Sequence, residues 1–222
     1  MQIRSCPILV LFLLLFVTKS IAQPENYEIK NAFMIGGGMT YFDMITDNFE
    51  TQKNTGFIVS AGIGAPLPHK WYDISYNFQI LKNKFDIDGR VSDDVAGNEW
   101  IEYEMFGVQA GLVFHINLIG SYLTLDVGPQ LAYNSDLEVR DSEMENYFLN
   151  NYETLQAKDI LDVNNFNVNG MAGVSAGFGP LKLRAQYIYG LLNTFDKLND
   201  LEAGDDFKGN PNYITFTAFL LF

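Results

Sequence analysis

The end of the chain alternates. Ile214, Phe216, Ala218, Leu220 and Phe222 share one face of an extended segment. Tyr213, Thr215, Thr217, Phe219 and Leu221 share the other, which is more polar at its start. A two-residue period marks a strand whose two sides meet different surroundings. Seven more segments carry the same period, and they confine the chain to an all-β fold. In Trp71–Lys82, Tyr72, Ile74, Tyr76, Phe78 and Ile80 alternate with Asp73, Ser75, Asn77 and Gln79. From Ser121 to Asn134, Leu123, Leu125, Val127, Leu131 and Tyr133 alternate with Thr124, Asp126, Gly128, Gln130 and Asn134. Comparable runs cover residues 106–116, 165–178 and 181–191, and glycine-rich ones cover 32–43 and 56–65.

Two closed folds fit such a pattern. A soluble up-and-down barrel would turn the polar faces outward, and a transmembrane barrel would turn them inward. The polar faces here are Asn, Gln, Ser, Thr and Gly with few charges. That composition is a poor solubilising coat and a good filling for a narrow lumen. Gly36, Gly38, Gly62, Gly64, Gly107, Gly111, Gly128, Gly173, Gly177 and Gly190 share the inward parity and leave room for larger neighbours. The reading is an eight-stranded antiparallel up-and-down transmembrane β-barrel. Its connections alternate between short (66–70, 117–120, 179–180) and long (44–55, 83–100, 135–164, 193–211). Short turns belong on the periplasmic rim and long loops outside.

The amino terminus fits export. Arg4 precedes an apolar run, Ile8–Val17, and Ser20-Ile21-Ala22 offers a peptidase site before Gln23. Residues 1–22 are expected to be a signal peptide and 23–222 the barrel domain. Cys6 leaves with the signal. A strand closing on Phe222, with Leu220 and Phe216 on the same face, looks like the assembly signal of bacterial outer-membrane barrels. The expected surroundings are outer-membrane lipid and lipopolysaccharide, with the outer-membrane assembly machinery as the partner during insertion.

Of the 27 acidic residues, 20 fall in the four long loops, beside only 7 basic ones. This balance excludes non-specific nucleic-acid binding, which needs clustered Lys and Arg. In the longest loop Ser142 and Glu145 fit a capping box. Met144, Tyr147, Phe148, Tyr152 and Leu155 follow at roughly helical spacing. A short external helix over about 142–161 is predicted, either docking a partner through those side chains or packing on its own rim. Asp86-Ile87-Asp88-Gly89 with Asp93 and Asp94 lacks the spacing of a full calcium loop, so no metal or other cofactor is assigned. In the lumen, Arg184, Lys182, Asp73 and Asp126 share inward parity. A buried ion-pair cluster around Arg184 is expected, as a structural plug or as a gate. The two histidines of the barrel domain, His69 and His115, fall near the periplasmic side. No nucleophile–base spacing stands out, so no catalytic residue is assigned and the chain is not expected to be an enzyme.

Three stretches carry a family resemblance. They are Trp100-Ile101-Glu102-Tyr103, Val127-Gly128-Pro129-Gln130-Leu131-Ala132-Tyr133, and Leu183-Arg184-Ala185-Gln186-Tyr187 with Gly190-Leu191-Leu192-Asn193. Together they resemble the PorT-like outer-membrane β-barrel family of Bacteroidetes. Glu104-Met105 departs from the small residue and proline such proteins often carry there. The resemblance implies an eight-stranded barrel in the cell outer membrane, and its namesake is associated with type IX secretion and gliding. It brings no catalytic residues. The expected role is structural or accessory, in a surface or secretion assembly and through the external loops. A narrow or gated channel is the first alternative, and a surface enzyme acting on lipid or peptide the second.

Overall fold

Eight antiparallel strands hydrogen-bond in a closed ring. The computed structural model describes residues 32–67, 70–92, 99–120, 122–200 and 206–222. The signal segment, Cys6, His69, Asp93 and Asp94 lie outside the described residues. The ring strands are β1 (Ala32–Ile45), β2 (Thr51–Ala65), β3 (Tyr72–Arg90), β4 (Glu99–Ile119), β5 (Leu123–Asn134), β8 (Phe166–Phe178), β9 (Leu181–Gly190) and β10 (Asn210–Leu221). Each pairs with its neighbour in sequence order, and β10 pairs back to β1 from Met34↔Leu221 to Ile45↔Asn210. Two short strands, β6 (Glu138–Val139) and β7 (Phe148–Leu149), lie in the longest loop.

The alternation resolves as expected through the membrane-spanning part. Ser75, Asn77, Gln79, Gln109, Thr124, Asp126, Gln130, Asn169, Ser175, Arg184 and Gln186 are all buried inside. Phe33, Ile35, Phe57, Ile63, Phe78, Phe106, Leu131, Leu183 and Phe216 are exposed on the outer surface. A closed ladder leaves no unpaired edge, and an exposed apolar belt around a polar lumen is the signature of an integral outer-membrane barrel. Aromatic residues gather towards its two margins. Phe33, Trp71, Tyr122, Phe178 and Phe222 stand by the short turns, and Tyr41, Tyr133, Phe166 and Tyr187 towards the other end. At the tightest turn Phe178 pairs directly with Leu181. There Gly179 takes φ +61°, so Gly179-Pro180 has the glycine-first order of a two-residue hairpin.

The strands outrun the bilayer. The outward face of β3 changes from Ile74, Tyr76, Phe78 and Ile80 to Lys82, Lys84 and Asp86. On β4 it changes from Phe106 to Glu104 and Glu102. The inward face changes the opposite way, from Ser75, Asn77 and Gln79 to Leu81, Phe85 and Ile87. The barrel is therefore inside-out within the lipid and has ordinary water-soluble polarity above it. This corrects the sequence reading in two places. Residues 83–90 and 99–100 continue the β3–β4 hairpin and are not loop. Thr51–Thr55 likewise belongs to β2, which carries a register shift between Lys53 and Phe57. Charged outward positions there broke the membrane pattern and read as loop, although the two-residue period continues through them.

At the carboxy-terminus the Phe222 amide donates to the Phe33 carbonyl at 2.8 Å, and the two rings meet at 6.3 Å. Phe216 packs edge-on to Tyr41 at 6.2 Å. Phe222 thus extends the closing seam by one hydrogen bond and one aromatic contact. Deleting it is expected to slow assembly and leave more chain in the periplasm, read by pulse-chase fractionation with heat-modifiable gel mobility. Insertion of the truncated chain at the wild-type rate would make both contacts dispensable.

Candidate functional site: a layered lumen under a folded head

The lumen is filled in layers, and the one nearest the periplasm is built on Asp126. Its Oδ1 accepts from the Thr124 hydroxyl at 2.7 Å and pairs with His115 Nδ1 at 2.7 Å. Its Oδ2 accepts from the Ser175 hydroxyl and lies 3.3 Å from Arg184 Nε. Arg184 also reaches Ser175 Oγ at 3.1 Å, and its guanidinium lies over the Phe219 ring at 4.7 Å. The far ring nitrogen, His115 Nε2, is 2.8 Å from Ser75 Oγ. Strand register explains the gathering. Asp126 pairs across to His115 on β4 and to Gly173 on β8, Asp73 pairs to His115, and Ser175 pairs to Arg184. Beside Asp126, Gly173 lets β9 pack close, since a Cβ there would meet the Ala185 carbonyl and Gln186.

The expected ion-pair cluster forms around Arg184 and Asp126 but not around Asp73. Asp73 instead accepts from the Leu67 amide at 2.8 Å and from Asn117 Nδ2 at 3.4 Å, fastening the first periplasmic turn. It lies at the end of β3, below the layer that Arg184 reaches. Asp73 and Lys182 both line a cavity of about 370 Å³ at the periplasmic end, with Ser75, His115, Tyr122 and Thr124. Sequence reasoning missed Ser75, His115, Thr124 and Ser175. Their inward parity was readable, but which strand faces which across the lumen depends on register.

The next layer is uncharged. Tyr213 Oη donates to Gln109 Oε1 at 2.8 Å, Gln109 Nε2 donates to Gln79 Oε1 at 2.5 Å, and Asn169 Nδ2 reaches Gln109 Oε1 at 3.4 Å. Thr40 and Asn83 are joined at 2.9 Å.

Above these layers the long loops close over the mouth. Phe42, Met44, Phe85, Ile87, Ile101, Tyr103, Leu137, Leu149, Ile160, Val163, Phe195 and Phe207 belong to one buried cluster. Phe49 from the first loop, Tyr152 from the third, and Phe195 and Phe207 from the fourth share an aromatic nest with ring separations of 5.6–5.8 Å. The longest loop is held at both edges of the β3–β4 hairpin. β6 pairs with β4 at Tyr103↔Val139, and β7 pairs with β3 at Gly89↔Leu149. Tyr103 Oη donates to the Ala157 carbonyl at 3.2 Å, and Arg90 donates to the Tyr152 carbonyl at 2.8 Å.

The predicted external helix does not form. Ser142–Asn146 and Ala157–Ile160 are separate 3-10 turns, and the first is capped by Asp141, not Ser142. Nor are the loop side chains a free docking face. Leu155 is buried, while Met144, Tyr147 and Tyr152 pack against the head core, and Phe148 lies under Arg90 at 5.8 Å. Their apolar surface is worth more against the barrel's own open mouth than in water. Asp86 and Asp88 sit in β3, not in a calcium loop. They take amide donors from Asn54 at 3.1 Å and Asn150 at 2.6 Å.

Outside the head, charges form a ladder. Lys84 bridges Glu102 and Glu104 at 2.9 and 3.0 Å, Lys82 meets Glu104 at 2.5 Å, and Arg140 meets Glu102 at 2.7 Å. Burial opposes ionisation of Glu102, but hydrogen bonds from Lys84 and Arg140 outweigh it and hold the carboxyl below its usual 4.5. A lowered folded value means the stabilisation is whole above about 4.5 and is lost as pH falls through the lower value. The thermal midpoint of the head should therefore drop on acidification through about 4.5, and Lys84→Gln should blunt that drop. An identical acid response in the variant would show that the ladder adds nothing.

No family model matches the chain, and no curated protein matches it. Among solved structures it is similar to Neisserial surface protein A, at 11% identity over 86% of this chain and 99% of that one, with a TM-score of 0.48. It is also similar to Ail, the attachment invasion locus protein of Yersinia pestis, solved with a heparin analogue. That match has 13% identity over 87% and 100% of the two chains and a TM-score of 0.47. The architecture rests on the closed hydrogen-bond ladder and not on these distant likenesses.

Proposed function

We propose that the protein is a structural or accessory component of a surface or secretion assembly, acting through its folded extracellular head and not as an open channel. The observation that supports this most is the double closure of the lumen, by interlocked polar layers within the membrane and by an apolar core above it. A loop set that only shielded a pore would not need so large a buried apolar cluster. A head so packed keeps one shape, and pre-organised surfaces lose little entropy on binding. Glu138, Asp141, Glu143, Glu153, Asp159, Asp196 and Asp200 are exposed on it, so a protein partner would meet it with Lys and Arg. The resemblance to PorT-like barrels favours the secretion setting.

Gentle affinity purification from the native outer membrane tests this reading, with a stoichiometric protein partner as the expected result. A barrel recovered with lipid and lipopolysaccharide alone would count against it. Planar-bilayer recording addresses the rival channel. Wild type and Arg184→Ala are both expected to stay closed, because the head still seals the mouth when the lower layer is thinned. Steady conductance appearing in Arg184→Ala would identify that layer as a gate.

A further inference from the structure

Ser75, His115 and Asp126 stand in the arrangement that activates a serine nucleophile. Asp126 is a carboxylate with four donors around it, so it must accept from His115, and Nδ1 of the ring carries the hydrogen. In the neutral imidazole Nε2 then bears the lone pair, and it lies 2.8 Å from Ser75 Oγ. The hydroxyl therefore has a base in hydrogen-bond reach, and the base has its own orienting group. The three residues come from three neighbouring strands, β3, β4 and β5. Rigid strands are better supports for such a constellation than loops. Thr124 and Ser175 fix the carboxylate, and Arg184 balances its charge.

A buried network that only neutralised Arg184 would have no need of an approach path. Here Ser75 and His115 themselves line the periplasmic cavity, whose remaining wall includes Met34, Tyr122, Leu221 and Lys182. Gly64, Gly177 and Gly179 keep its rim low. Its volume, about 370 Å³, suits a small ligand. Asn77 Nδ2 donates to Ser75 Oγ at 3.4 Å, which leaves the Ser75 hydroxyl hydrogen for His115 Nε2.

We propose that Ser75 is the nucleophile of an acyl-ester hydrolysing site open to the periplasm, with His115 as its base and Asp126 as the residue that positions His115. Ser75 Oγ bonds to the acyl carbon while its proton passes to His115 Nε2. The ester C–O bond breaks, and the departing alcohol oxygen takes that proton. Water then attacks the acyl-serine, gives a proton to His115 and releases the carboxylic acid. That proton returns to Ser75 Oγ, so the cycle consumes one ester and one water. Short-chain acyl esters are the substrate class, since the cavity is small and mostly apolar-walled with Lys182 at its side. This goes beyond the accessory role of the head, which sits at the opposite rim and stands or falls on its own partner test.

The test uses the full barrel refolded into phospholipid vesicles, a short-chain alkyl fluorophosphonate and 4-nitrophenyl butyrate. The expected results are a single phosphonylated serine, Ser75 by peptide mass spectrometry, and ester hydrolysis that falls by at least about 100-fold in Ser75→Ala. Gel heat-modifiability confirms that the variant is folded. Ser75→Cys provides a second route. Its thiol should react with iodoacetamide faster when His115 is present than in the double variant Ser75→Cys/His115→Gln. Two results would overturn the proposal. One is a folded wild-type barrel with Ser75 unlabelled and no hydrolysis above the Ser75→Ala background. The other is thiol reactivity indifferent to His115.

Discussion

Asp126→Ala is expected to destabilise the folded barrel by about 3–5 kcal/mol. Asp126 is fully buried and holds Arg184, which is itself buried. Removing the carboxylate leaves the guanidinium in the lumen beside Ser175 and the Phe219 ring. Its two terminal nitrogens already have no hydrogen-bond partner among the described residues. His115, Thr124 and Ser175 would each lose an acceptor as well. Urea titration of barrels in phospholipid vesicles, followed by tryptophan fluorescence, measures the loss. The double variant Asp126→Ala/Arg184→Met should recover part of it, since a buried charge pair is often replaceable by apolar residues of similar size. A loss below about 1 kcal/mol would mean that water reaches the site and screens it.

Phe85→Ala is expected to cost about 3–5 kcal/mol, concentrated in the head. Phe85 is fully buried between Phe42 and Tyr103, each at 5.7 Å between ring centres. It is the point where the inner face of β3 passes from polar lumen to apolar cap. Truncating it opens a cavity under the longest loop, which two short strand pairings and a few side-chain bonds, Tyr103 to the Ala157 carbonyl and Arg90 to the Tyr152 carbonyl among them, hold to the hairpin. Proteolysis of residues 135–165 on intact vesicles should quicken by at least about 100-fold if opening follows the local stability. The transmembrane belt and its polar layers should keep their protection. Equal loosening of both would show that head and barrel unfold as one unit.

The two substitutions probe regions that were unequally visible in the chain. Trp71–Lys82 announced its strand because Tyr76 and Phe78 must face lipid while Asn77 and Gln79 must not. Lys84, Asp86 and Glu102 obey the same period, but their outward positions are charged because they have left the bilayer. The pattern therefore inverts there without stopping. The third loop misled for a different reason. Met144, Tyr147, Tyr152 and Leu155 have near-helical spacing, yet what orders them is the open apolar mouth beneath, which uses 3-10 turns and paired strand ends. Arg184 and Asp126 were legible as partners because few charges share the inward parity. His115 was passed over because its neighbours in space, Ser75 and Asp126, lie 40 and 11 residues away.

Strand number, ring closure, the polar lumen and the rim at which the loops stand were all written in the linear chain. They follow from a two-residue period set against two solvents, which acts on each strand separately. Phe222 belongs with them, as the outward end of the last strand. Which inward side chains touch was settled only in the assembled barrel, and so was the folding of the loops into a core instead of a fringe above a pore. Contact across a lumen depends on the register and stagger of every strand between the partners, and no single segment carries that information.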